Sequence, residues 1–476
     1  MTPIGTDEWV AEAEQRRQGD SGPLAPLRRG LMRVPPVGRL ALLVAGAGLL
    51  PVLSDSTFVV RVGLNALLFA LLALGLNVVV GYAGLLDLGF IAFYGMGAYT
   101  YALLSSDQLG LHWPTELAIL TAVLATVVLG YLLGLPSRRL LGDYLAIVTL
   151  FFGQAFVQLV TNVDRLPLPG GRTLDLTGGP NGITGVDQFR LGMLHLRTVQ
   201  DYYWLLIVVF ALAAVVFFNA DNSRTGRAWR AVREDPLAAG ALTIPVNRLK
   251  LLAFAVGAGT AGLAGTVFAA VQLGVFPANF TVTLLIMVYA AVVLGGTGSI
   301  PGVVLGAAVI SVVPEILRDP DLSRFLFYGV MVSTLMVLLR PWRVLAAVLV
   351  ATVAFGFAIR GLVDWVWPGE LIEAGGGGGK VADALGSWVV MTPGNVLVIN
   401  LAFVALIAAV LTLTTLRPAV RHIGLPAVLY LSAFVWENRL VTDPSITRQL
   451  LLGVILVVMM NVRPHGLLGE PRVEIT

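Results

Sequence analysis

The stretch that decides the fold is GYAGLLDLGFIAFYGMGAY, residues 81–99. Its nineteen residues hold five glycines, one carboxylate (Asp87) and five aromatic rings, inside an otherwise apolar region. An aspartate at the centre of a membrane-crossing helix costs about 2.5–3.5 kcal/mol on insertion scales. Each glycine costs about 1 kcal/mol against alanine in a helix. A lipid-facing span carries neither, so the segment is expected to be buried among other helices and locally broken. Backbone freed near Gly81 and Gly84, or near Gly95, is tolerated only inside protein or beside water. Gly81, Gly84 and Asp87 advance by threes and share a face if the helix is continuous there. Asp87 has two placements: mid-bilayer on a substrate path, or at a helix N-terminus, where the dipole favours it.

The rest of the chain supports a membrane setting. Of 476 residues, 57% are hydrophobic and 12% charged, and the mean hydropathy is +0.86. A soluble domain needs far more polar surface. The absence of cysteine excludes disulfides, thiolate zinc sites and Fe–S ligation. His112, His195, His422 and His465 are scattered and offer no metal spacing. No nucleophile–histidine–acid grouping stands out, so the chain is not expected to be an enzyme. Residues 1–36 carry Glu8, Glu12, Glu14 and Asp20 ahead of any apolar run, and are expected to be a cytoplasmic tail with a short surface helix at 7–18, not a signal peptide.

A span needs roughly 20 apolar residues. Fourteen segments qualify: 37–53, 59–80, 85–104, 116–135, 143–160, 202–219, 248–271, 281–295, 300–317, 325–339, 344–362, 395–416, 424–438 and 449–462. Some are short or glycine-broken, so the expected fold class is all-α, a polytopic integral membrane protein with about 11–14 transmembrane helices. Arginine clusters before the first span, after the fourth, between the sixth and seventh, and after the tenth, twelfth and last all fall on one side under strict alternation. That puts both termini in the cytoplasm. The organisation read from this pattern is a tail at 1–36, a core at 37–340, extra spans with a glycine-rich extracytoplasmic loop at 341–448, and a terminal helix and tail at 449–476. DPDLSR (319–324) and DPSITR (443–448) begin two similar apolar segments, a near-repeat that reflects either duplication or chance.

Two motifs are decoys. GGGGGKV (375–381) lacks the first glycine and the Ser or Thr of a phosphate loop. GAGTAG (257–262) lies inside an apolar helix with no preceding strand, where small residues at 258, 262 and 265 let a neighbouring helix approach.

The informative soluble stretch is NSRTGRAWRAVREDPLAAGALTIPVNRLKLLAF, residues 222–254. Ser223 can cap a helix whose Arg227, Arg230 and Arg233 recur on one face. Asp235-Pro236 opens a second short helix, and Pro245 is expected to stop it after about two turns. This is either a re-entry loop obeying the positive-inside rule or a docking element for a cytoplasmic partner. The segment REDPLAAGALTIPVNRLKLLAFAVGAGTAGLAG (from Arg233) resembles the coupling region of membrane permeases in branched-chain amino acid ABC importers, of the LivM type. So, in order, do GLNVVVGYAGLLDLGFIAFYGMGAYTYALL (from Gly75), GDYLAIVTLFFG (from Gly142), TGGPNGITG (from Thr177), VLGGTGSIPGVVLGA (from Val293) and RPHGLLG (from Arg463).

The resemblance implies a transport subunit in a bacterial cytoplasmic membrane, paired with a second, similar permease. A pair of ATPase subunits would bind below it and an extracytoplasmic binding protein would deliver substrate. This chain would bind no cofactor, ATP being used by the partners. Arg233, Glu234, Asp235, Leu237, Ala238, Ala239, Gly240 and Leu242 would dock on the ATPase. Gly240 and Thr243 depart from the family's usual Glu and Gly there; Gln154 and Phe90 are further departures, as is the hundred-residue excursion before RPHGLLG.

Candidate path or gate residues are Asn77, Gly81, Gly84, Asp87, Gly95, Gln154, Gln158, Thr177, Gly178, Gly179, Asn181 and Gly182. Gln154, Gln158 and Thr161 form one helical stripe that must face other helices or water. Residues 177–185 form either a gate at the pore mouth or an ordinary turn. The family's substrates extend to urea and short amides. An ion-coupled secondary transporter using Asp87 and Glu437, or a membrane scaffold, are the competing classes.

Overall fold

The structure is a computed structural model. It describes residues 36–53, 56–136, 142–164, 166–167, 173–192, 194–318, 320–339, 342–366, 388–390, 396–415, 418–442, 453, 456 and 466–468. The surface helix expected at 7–18, the glycine run at 375–381, the second copy of the near-repeat and most of the span expected at 449–462 lie outside these residues.

The chain divides into two compact units: Met1–Val312 with Val458–Thr476, and Val313–Val457. Among the described residues eight helices are long and apolar enough to cross a membrane, and three shorter apolar helices accompany them. The protein is an all-α, multi-pass membrane protein.

The first unit contains α1 (Pro36–Leu53), α2 (Thr57–Leu76), α3 (Phe90–Leu104), α4 (Thr115–Gly134), α5 (Asp143–Asn162) and α6 (Val199–Asn222). These are followed by α7 (Arg224–Glu234), α8 (Pro236–Ala241), α9 (Val246–Gln272), α10 (Val282–Gly295) and α11 (Ile300–Ile316), whose last turn passes into the second unit. The centre is built from α2, α3 and α9. The α9 span is 67% buried, whereas those of α4 and α6 are 28% and 33% buried and present leucine and valine outward. Glycine explains how closely α3 and α4 approach α9. A Cβ on Gly97 would stand 2.3 Å from the carbonyl oxygen of Gly262, one on Gly265 2.2 Å from that of Tyr94, and one on Gly130 2.4 Å from Ala258 Cβ. Small residues at 258, 262 and 265 thus admit α3 and α4 to backbone contact with α9.

Between α5 and α6, the described residues of 163–198 lie at the far end of α3. They contain β1 (Leu166–Pro167) paired with β2 (Thr173–Leu174), β3 (Ile183–Thr184) paired with β6 (Gly274–Val275), and β4 (Arg190–Leu191) paired with β5 (Leu194–His195), all antiparallel. Thr198 and Asp201 close a capping box that starts α6.

The second unit contains α12 (Pro320–Leu338), α13 (Trp342–Val366), α14 (Val396–Thr415) and α15 (Pro418–Thr442). Its core collects Trp388, Val389, Val390, Tyr430, Ala433 and Phe434. Glu437 is 3% exposed; it accepts a hydrogen bond from the Tyr328 hydroxyl and lies 3.9 Å from the Arg324 guanidinium.

Three expectations are corrected. The third span does not begin at residue 85, because Gly84 takes φ +68° and residues 84–87 are not helical, so α3 starts at Phe90. Gly81, Gly84 and Asp87 therefore share no helix face. The break lies at 77–84, while Gly95 and Gly97 sit in regular helix and serve close contact. Helix α8 ends at Ala241, ahead of Pro245, because Thr243 turns to φ +65°; Pro245 instead opens α9.

Candidate functional site

Asn77, Gly81 and Gly84 from the path candidates and Arg233 from the docking set meet at the break in α2. Its last turn widens into a π-turn, Asn77–Tyr82, and the chain then leaves the helix. A widened turn shifts the bonding off the i→i+4 ladder, and a buried carbonyl left without a backbone donor needs another. Arg233, on α7, supplies one: its Nη1 donates to the Gly81 carbonyl and its Nη2 to Thr297 Oγ1 at 3.4 Å. Space for that side chain comes from Gly84, where a Cβ would lie 2.7 Å from Arg233 Cγ. Asn77 Oδ1 accepts from the Gly298 amide at 2.8 Å, and a Cβ on Gly81 would fall 2.0 Å from the same oxygen. Tyr82 lies over the Trp229 indole, centroids 6.3 Å apart and 15° between planes, and Trp229 Nε1 donates to the Leu249 carbonyl at 2.9 Å.

The turn joining α10 and α11 completes the junction. Gly296 and Gly298 take φ +106° and +91°. The α10 carbonyls of Leu294 and Gly295 accept from the Leu467 and Leu468 amides at 2.8 and 3.1 Å. The closing sequence motif is therefore a cap on the end of α10. Sequence reasoning missed this, together with Trp229, Thr297, Thr149 and Tyr289. The apolar stripe Gly226, Trp229 and Val232, all buried, was the available signal for Trp229.

Asp87 is fully buried in the connection between the break and α3. Its Oδ1 accepts from the Gly89 amide at 2.9 Å, and its Oδ2 has no hydrogen-bond partner among the described residues. The connection is held from two sides: Thr149 Oγ1 on α5 accepts from the Leu88 amide at 2.9 Å, and the Tyr289 hydroxyl on α10 donates to the Asp87 carbonyl. Gly89, not Asp87, is the N-cap of α3.

The loop beyond α6 projects an apolar tip. Ser223 caps α7, and Asp235 Oδ1 caps α8 by accepting from the Leu237 and Ala238 amides at 2.8 and 3.1 Å. Leu237 is 86% and Leu242 73% exposed. Glu234, Ala238, Gly240 and Ala241 are exposed as well, while Ala239 is buried against the fold. Arg227 and Arg230 reach back to the Asn222 and Asp221 carbonyls at the end of α6. Of the expected docking set, Arg233 alone turns inward, and Ala239 is covered.

The remaining candidates lie elsewhere. Gly95 faces Phe156 and Phe280, within a cluster that includes Tyr94, Tyr99 and Phe268. Gln154 and Gln158 are exposed on the outer face of α5. At the far end, Thr177 Oγ1 donates to the Val163 carbonyl at 2.9 Å and Gly178 N to Asp175 Oδ1 at 2.8 Å. Gly179–Asn181 makes a single 3-10 turn, and a Cβ on Gly182 would lie 2.2 Å from the Val275 carbonyl. This loop is tied to the ends of α5 and α9. Beside it, His112 bridges Asp187 Oδ2 at 2.6 Å and Asp107 Oδ1 at 3.0 Å. Those two carboxylates raise the histidine pKa above its ordinary value.

A polytopic chain with this glycine-built core and an exposed apolar loop has the features of a transport permease. Residues 58–335 match the family described as "Branched-chain amino acid transport system / permease component", and the chain belongs to that family. It is 40% identical over 300 residues to the high-affinity branched-chain amino acid transport system permease protein LivM of Escherichia coli, covering 58% of this chain and 67% of that protein. It is 27% identical over 267 residues to the LivH permease protein of Salmonella typhimurium (54% of this chain, 83% of that protein). Against a probable LivM of Methanocaldococcus jannaschii it is 27% identical over 258 residues (51% and 71%). No solved structure matches.

Proposed function

We propose that this chain is the membrane-spanning permease subunit of an ATP-driven importer, which forms with a second, similar permease the path for branched-chain or related amino acids. A pair of ATPase subunits docks at the end that carries α8, an extracytoplasmic binding protein delivers substrate, and the assembly works in a bacterial cytoplasmic membrane with both termini in the cytoplasm. The chain itself hydrolyses nothing and holds no cofactor; ATP is bound by its partners. Substrate choice follows from the likeness to LivM and LivH permeases.

The observation that carries this reading is the exposed apolar tip of α8. Leu237 and Leu242 stand out on a loop that is otherwise charged, the kind of apolar surface a protein partner covers. A short helix of small residues seats in a partner groove at low entropic cost. The cap at Asp235 and the anchor at Trp229 hold the tip rigid in advance of binding.

The test is co-purification with candidate ATPase subunits, then uptake in proteoliposomes. Ala238→Arg introduces a charge at an exposed position of the tip and is expected to abolish ATPase retention and ATP-driven uptake together. Ala239→Arg is no equivalent test, since it disrupts a buried site. Wild-type uptake driven by an ion gradient without ATPase would instead establish a secondary transporter. Ligand screening of the partner binding protein separates amino acids from urea and short amides.

A further inference from the structure

We propose that Arg233 is a positioning residue that carries movement of the docking loop into the break of α2, and that it is not part of the surface touched by the ATPase. The proposal rests on the permease reading above. Three observations support it.

The first is direction. Arg233 is the penultimate residue of α7, two before the Asp235 junction with α8, and its guanidinium is bonded inward to the Gly81 carbonyl and to Thr297. The second is construction. Two glycines in left-handed conformation line the side chain: Gly84, whose Cβ would meet Arg233 Cγ at 2.7 Å, and Gly298, whose Cβ would come within 3.3 Å of Nη1. An incidental surface arginine has no such slot. Its fork binds two acceptors at once, which lysine cannot reproduce.

The third is stiffness. Ser223 fixes the start of α7 by accepting from the Thr225 and Gly226 amides at 3.1 and 3.3 Å, and the Trp229 indole fastens its middle to the Leu249 carbonyl. Asp235 ends α7 and caps α8, so no slack separates the tip from Arg233. On the receiving side, the Asn77–Gly298 bond ties the α2 break to the α10–α11 turn. A push on α8 therefore reaches both elements together. The break is also where α2 gives up its α-helical ladder for longer-range bonds, Ala83 N to Val78 O at 3.1 Å and Leu85 N to Val79 O at 3.0 Å.

The experiment compares Arg233→Ala, Arg233→Lys, Thr297→Val and Ala238→Arg in the full complex with ATPases and binding protein, with radiolabelled leucine as probe. Retained ATPase, hydrolysis rate and uptake are measured on the same samples. Arg233→Ala is expected to retain the ATPase while maximal uptake falls about tenfold or more at unchanged KM, so that uptake per ATP collapses. Arg233→Lys, keeping one bond, recovers part of that ratio. Ala238→Arg loses the ATPase itself. The proposal is overturned if Arg233→Ala transports as wild type, or if its loss of uptake tracks loss of retained ATPase. Should Arg233→Ala not fold, Thr297→Val decides: a lowered uptake-to-hydrolysis ratio supports the link and an unchanged ratio overturns it. A wild-type chain that retains no ATPase refutes the permease reading instead.

Discussion

Gly97→Ala is the sharpest probe of the core. Alanine in a helix interior normally gains about 1 kcal/mol over glycine. At Gly97 the added methyl would stand 2.3 Å from the Gly262 carbonyl oxygen, 2.5 Å from its Cα and 2.7 Å from its carbonyl carbon. All three obstacles are backbone, so no side chain can rotate away, and α3 and α9 must separate. Overpacking typically costs 1–3 kcal/mol and occasionally more. Separation would also loosen the second backbone contact, between Gly265 and the Tyr94 carbonyl, where a Cβ would come to 2.2 Å. The cost thus belongs at the top of the range, a net loss of about 2 kcal/mol after the helix gain. Gly46→Ala on α1 is the control, because nothing lies within 4 Å of its Cβ position. The two variants should move thermal unfolding in detergent in opposite directions, Gly97→Ala down by several degrees and Gly46→Ala level or slightly up. Equal midpoints for wild type and Gly97→Ala would refute the packing argument.

Two further outcomes follow from groups outside the junction. His112 has a raised pKa in the folded chain, so its pairing with Asp107 and Asp187 is fully present below the unfolded value near 6.5 and is lost as pH rises through the raised folded value. Amide exchange at 105–112 and 186–190 should therefore speed up with pH beyond the intrinsic exchange trend, and His112→Gln should remove that excess; equal pH profiles would refute it. In the second unit, Glu437→Ala leaves the half-buried Tyr328 hydroxyl without its acceptor and should lower stability by about 1 kcal/mol or more, with Glu437→Gln milder because its carbonyl still accepts. Thermal unfolding of the two variants checks the order.

The spans and the family were legible because each motif reports a local need: apolar length for crossing, glycine for contact, Asp-Pro for a helix start. What was not legible is which motifs meet. Arg233 and Gly81 lie 152 positions apart and Gly298 and Asn77 lie 221 apart, so their pairing exists only after helices are placed. The arginine stripe illustrates the difficulty. Arg227, Arg230 and Arg233 look equivalent at three-residue spacing, yet the buried stripe Gly226, Trp229 and Val232 runs beside them. Two arginines then return to the end of α6, and the third, one turn further on, lies over the slot made by Gly84. Asp87 shows the same limit. Its spacing to Gly81 and Gly84 suggested one helical face, but the positive φ at Gly84 is a backbone choice that spacing does not reveal.

The distant closing motif has a physical account in the same terms. The first unit leaves at Val312 and returns at Val458, and the Leu467 and Leu468 amides then complete the end of α10. Closure entropy grows only logarithmically, about 0.6 kcal/mol for each doubling of a flexible loop. Even a fourfold lengthening of such an excursion therefore costs only about 1 kcal/mol, and less when, as here, much of the intervening chain is itself folded. Leaving the Leu294 and Gly295 carbonyls unbonded would cost more, about 1–3 kcal/mol for each buried acceptor. The need to cap α10 is thus strong enough to hold the terminal motif in place across an excursion of that length.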